Sequence, residues 1–67
     1  MNPAAFFYNR DVAKRAAAAV NDATGRMCCS YTASPGGGVF YVEAEGVSVE
    51  EFNRILEESG FDKLRVA

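Results

Sequence analysis

The sequence contains no histidine. That absence removes the commonest general base, and with it any Ser-His or Cys-His nucleophile pair. It has only two cysteines, and they are neighbours, Cys28 and Cys29. A bridge between adjacent residues is badly strained, and on a strand two neighbours point to opposite faces. The expectation is two free thiols in a reducing cytoplasm, one a small buried apolar residue and the other partly exposed. Adjacent cysteines also lack the two-residue spacing of zinc motifs, so neither a metal site nor a cofactor is expected. No apolar run approaches the roughly 18 residues of a membrane span. The opening stretch MNPAAFFYNRD has no basic segment ahead of its apolar residues, as a secretory signal requires. The two signs of charge nearly cancel: the formal net charge is −2. Such a chain has no general electrostatic attraction to nucleic acid or to an anionic membrane. There is neither an internal repeat nor a low-complexity linker.

What is present fits a single small domain spanning 1–67. Of its residues 49% are apolar and 24% charged, an ordinary globular balance that argues against disorder. A chain of 67 residues buries only about 60% of its unfolded surface. With no disulfide framework, a homodimer is the expected aid to stability.

The organising stretch is Arg26 to Glu45. Two runs rich in β-formers flank Ser34-Pro35-Gly36-Gly37-Gly38, where proline and glycine supply the dihedrals of a reversal. This predicts a hairpin with a loop of about three to five residues. In its first strand Met27, Cys29 and Tyr31 alternate with Cys28, Ser30 and Thr32. In its second, Phe40, Val42 and Ala44 are assigned to the core side, with Tyr41 and Glu43 on the open face.

Before the hairpin, Ala4 to Tyr8 reads as a short strand. A helix capped by Asn9 or Asp11 then runs to about Ala23. Its apolar stripe is read as Val12, Ala16, Ala19, Val20 and Ala23, with Lys14 and Arg15 in solvent and Gly25 ending it at C′. After the hairpin, Ser48-Val49-Glu50-Glu51 is a capping box, with Val47 and Phe52 as its hydrophobic staple. Val49, Phe52, Ile55, Leu56 and Ser59 share one face of this second helix, and Gly60 and Phe61 provide a Schellman stop. Asp62 to Val66 is read as a last strand. The class is therefore α+β: a two-layer sandwich in the ferredoxin-like order β-α-β-β-α-β, or α-β-β-α-β without the first strand. An antiparallel sheet carries both helices on one face. The edge strand 26–33 has little charge beyond Arg26, so it can pair with a copy of itself.

Catalytic constellations are weakly represented. The glycine run joins two strands and no lysine follows it, unlike a phosphate-binding loop. The acidic residues from Glu43 to Asp62 read as a solvated helix face, or as a local acidic surface for a basic partner. Aromatic residues on the sheet raise a second possibility. In Phe6 and Asn9, Ala5–Asn9 resembles the first signature of the RNA-recognition motif; in Gly38, Tyr41 and Val42, Gly38–Val42 resembles the second. The basic residue that family carries before the glycine is absent. The resemblance implies a single-stranded nucleic-acid platform using Tyr41 and the Ala5–Tyr8 strand, assisted by Arg10, Lys14, Arg26 and Arg65.

Being short, alanine-rich and without a catalytic set, the chain resembles in general character the small accessory proteins of bacteriophages and mobile elements. That resemblance implies a cytoplasmic protein that binds and inhibits a host factor. Elimination points to a non-enzymatic protein-binding module, with Tyr31, Tyr41, Glu43, Glu57 and Glu58 as its partner-binding residues.

Overall fold

The computed structural model describes residues 2–61. Within them the order is β1 (Ala4–Phe7), α1 (Arg10–Thr24), β2 (Cys29–Ala33), β3 (Phe40–Ala44) and α2 (Val49–Glu58). The first strand is present, so the arrangement lacking it is set aside. The strand expected over Asp62–Val66 lies outside the described residues. The sheet has three strands in the order β1-β3-β2, and both pairings are antiparallel. The fold is thus a small α+β domain with two helices against one face of an antiparallel sheet. Among the described residues no helix is long and apolar enough to cross a membrane.

Strand β1 shows the period-2 pattern of a half-buried strand: Ala5 and Phe7 are buried while Ala4 and Phe6 are partly exposed. Pro3, lacking an N–H, still contributes its carbonyl, which accepts from the Ala44 amide at 3.1 Å. Asn9 is the cap of α1; its Oδ1 accepts from the amides of Asp11 (2.8 Å) and Val12 (3.2 Å). Gly25, at φ 70°, closes the helix in the left-handed conformation that glycine adopts without a Cβ penalty.

The buried face of α1 is Ala13, Ala16, Ala17 and Val20. Ala16 and Val20 belong to the expected stripe, but Val12 and Ala19 are half-buried and Ala23 is exposed. An alanine-rich helix offers nearly equivalent stripes in several directions, so its rotation is set by the surfaces it packs against. Small side chains bring α1 close to β2 and β3.

The hairpin closes where the Ser34 amide donates to the Val39 carbonyl at 2.9 Å. The four residues between them fall within the expected loop length. A tight turn from Ser34 to Gly37 (amide of Gly37 to carbonyl of Ser34, 3.0 Å) uses Pro35 at its second position.

Helix α2 supplies the bulk of the core. Phe52 and Leu56 are fully buried and Ile55 nearly so; burying such a side chain contributes roughly 1.5–3 kcal/mol each. Val49 and Ser59, expected on this face, are exposed. The Ser48 hydroxyl accepts from the Glu51 amide at 3.1 Å, and Val47 and Phe52 are buried together as a staple. The Schellman stop forms as the Phe61 amide reaches the Leu56 carbonyl (3.0 Å) and the Gly60 amide that of Glu57 (3.1 Å). Phe61 then lies edge-on to Phe7, centroids 6.4 Å apart.

Candidate functional site

Strand register decides which side chains share a face. Ala5, Val42 and Tyr31 stand in one row, and Phe7, Phe40 and Ala33 in the next. Since Val42 and Ala5 are fully buried, this is the face under the helices. The alternate rows, Phe6–Tyr41–Thr32 and Ala4–Glu43–Ser30, form the opposite face. No described element covers it.

Tyr41 and Glu43 therefore lie together on the open face, as expected. The Tyr41 ring meets Phe6 at 6.2 Å between centroids with the planes tilted by 53°, and both rings are partly exposed. Below them a polar recess is lined by Asn2, Cys28, Ser30, Glu43 and Glu45. Phe6 completes an aromatic pair that the partner-binding set omits. Its signal was the Ala5/Phe6/Phe7 alternation, which turns Phe6 outward once Phe7 turns inward.

Tyr31 does not join them. Sitting opposite Val42, it lies on the helix side of edge strand β2. There it is 37% exposed, in a groove with Lys14, Ala18 and Met27. Alternation along β2 does not say which of its two sets lies under the helices; the register does, and Thr32 is the residue opposite Tyr41. A one-residue change of register moves a side chain to the other face. Glu57 and Glu58 are exposed on α2, in the layer behind the sheet. The Glu58 carboxylate accepts from Arg54 at 3.4 Å, and Glu51 lies 3.8 Å from the same guanidinium. The five expected contact residues thus divide among three places: Tyr41 and Glu43 on the open face, Tyr31 on the helix side of β2, and Glu57 and Glu58 on α2.

The cations named for nucleic acid are also elsewhere. The Arg10 guanidinium sits over the Phe40 ring at 5.5 Å from its centroid. Lys14 lines the α1–β2 groove, and Arg26 donates to the Gly46 carbonyl at 3.2 Å. Arg65 lies outside the described residues.

Sequence reasoning missed Asn21. Its side-chain Oδ1 accepts from the amides of Cys28 (2.9 Å) and Cys29 (2.8 Å), while its Nδ2 donates to the Cys29 carbonyl (3.1 Å). One amide side chain thereby satisfies backbone groups at the start of β2, as a neighbouring strand would. Nothing in an amphipathic pattern distinguishes this asparagine from a solvent-facing one.

Both cysteines are free. Cys28 is half-buried, its Sγ 3.5 Å from Thr24 Oγ1. Cys29 is buried, and its thiol is pushed up from 9.0 to about 12, first by loss of solvent and then by Cys28 and Glu43. A thiol held protonated is a poor nucleophile at neutral pH. Among the described residues no group of three or more potential ligands is placed to hold a metal ion. No protein-family model, curated protein or solved structure matches this chain.

Proposed function

We propose that this chain is a non-enzymatic protein-binding module that acts through the open face of its sheet. The observation that carries the reading is the Phe6–Tyr41 pair, partly exposed and beside Glu43 on a face no described element covers. Aromatic rings supply large contact area at small entropic cost and are enriched where interfaces concentrate their energy. Glu43 and Glu45 border them, so the complementary partner presents an apolar centre with a basic rim. The natural setting for such a module is inhibition or modulation of a host protein. In the same reading the domain has the ferredoxin-like order, with the open face of its sheet bare.

A stacking platform for single-stranded nucleic acid uses the same two rings. The charges next to them are acidic, however, and Arg10, Lys14 and Arg26 are engaged or placed elsewhere, which favours a protein partner.

The test is a capture experiment from nuclease-treated bacterial lysate with the parent chain and a Tyr41→Ala/Glu43→Lys variant. The expected result is one protein retained by the parent and lost by the variant, with the unfolding midpoint of the domain unchanged. Equal retention by both chains would reject the open face, and recovery that depends on intact nucleic acid would favour the stacking platform.

A further inference from the structure

We infer that the outer edge of β2 is a self-pairing surface that joins two copies of this chain about a two-fold axis at Thr32. The hydrogen-bond phase of the hairpin shows which backbone groups of β2 face away from β3. Ser34 donates to Val39 (2.9 Å) and Glu45 donates to Cys28 (2.9 Å). By the alternation of an antiparallel ladder, Cys28, Ser30, Thr32 and Ser34 face β3, and Cys29, Tyr31 and Ala33 face outward. Asn21 already occupies both outward groups of Cys29. Pro35, the next residue of that phase, has no N–H. Tyr31 and Ala33 are therefore two complete rungs, bounded on one side by a clamp and on the other by a proline.

Those bounds select one register. If Tyr31 stood opposite Tyr31 of a second copy, each Ala33 would face a Cys29 whose groups are taken. If Ala33 stood opposite Ala33, each Tyr31 would face a proline unable to donate. With Thr32 opposite Thr32, Tyr31 pairs with Ala33 in both directions, and clamped Cys29 meets Pro35. Every outward N–H of the shared edge then has a partner, and the carbonyl of Pro35, an exposed turn residue, is left to solvent. Matched defects at the two ends are a property of two identical strands; a foreign peptide has no need of them.

The surroundings agree with this pairing. Strand β2 carries no charged residue, so nothing repels across the axis. Helix α1 lies over β2 and β3. At a strand spacing of about 4.8 Å, the two α1 helices come about 10 Å apart, the distance of packed helices. The flank of α1 toward this edge carries Lys14, Ala17 and Ala18, which line the groove beside Tyr31. The groove holding Met27, 92% exposed, and Tyr31 narrows on assembly.

Sedimentation equilibrium over a micromolar concentration series reads the state directly. The expected mass is twice the 7.2 kDa chain. Thr32→Lys sets two like charges opposite each other on the exposed face, and Ala33→Pro removes an outward N–H without touching the hairpin ladder. Each should give a single-chain mass where the parent is paired, with its circular dichroism retained. Should Thr32→Lys fail to fold, Ala33→Pro and the following cross-link decide. Directly opposed residues facing away from the shared bonds lie about 4.5 Å apart at Cα, within disulfide range. Mild oxidation of a Cys28→Ser/Thr32→Cys chain should therefore yield a covalent dimer, and a Cys28→Ser/Ser30→Cys chain should not. A single-chain mass throughout overturns the inference. So does a paired state that survives both edge variants without the cross-link, or an edge that stays monomeric and takes up an extended peptide instead.

Discussion

The two faces of the sheet distribute side-chain size in opposite ways. Beneath the helices the central positions are Ala5, Val42 and Ala44, all fully buried, with the aromatic Phe7 and Phe40 at one end. On the open face the largest side chains, Phe6 and Tyr41, stand side by side on adjacent strands. Small residues inside let the alanine face of α1 sit close, and α2 fills the remaining volume with Phe52, Ile55 and Leu56. The rings outside contribute little to that core. Bulk has been placed where folding does not require it, and this is why the open face is read as a site.

The sharpest way to break the contrast is to empty the covered side. Phe52→Ala should destabilise the domain by about 3–5 kcal/mol, enough to unfold so small a chain, as measured by urea denaturation. The Tyr41→Ala/Glu43→Lys variant on the other face should leave the midpoint in place, so comparable losses from both would erase the distinction. A smaller effect comes from enlarging a residue that has to be small. Ala44→Leu, at a fully buried position opposite Cys29, should cost about 1–3 kcal/mol through overpacking. A neutral result there would show that α1 is not held close.

The smallest effect is chemical. In the unfolded chain the Cys29 thiol ionises near its ordinary 9.0, whereas in the fold it is held up to about 12. Between those values the unfolded state gives up a proton that the folded state keeps. Stability is therefore fully present below about pH 9 and falls as pH rises toward 12, by at most about 1.4 kcal/mol per pH unit. Denaturation midpoints of the parent and Cys29→Ala at pH 8 and pH 10 isolate the contribution. The parent should lose more on going to the higher pH; equal losses would place the thiol in contact with water.

Much of this architecture is legible in the residues because its signals are local. Asn9 and Ser48 cap their helices, Gly25 and Gly60 end them, and Pro35 with its glycines reverses the hairpin; each acts within a few residues of itself. The assignment of Phe40, Val42 and Ala44 to the inner side follows from alternation and agrees with the register. The partner strand's residues were harder. Alternation along β2 places Cys29 and Tyr31 on one side, but only the pairing of Tyr31 with Val42 reveals that this side is the covered one. Helix α1 failed for a related reason: a face of alanines has no large side chain to mark its direction.

By its sequence alone, this chain determined where its two helices begin and end, where its hairpin turns and which side of β3 is apolar, since capping, turn and alternation energies are set by near neighbours. Tertiary structure decided the rotation of α1, the side on which Tyr31 falls, the clamp of Asn21 on β2 and the meeting of Phe6 with Tyr41. Those outcomes depend on which surfaces come together across the fold, and no single segment carries that information.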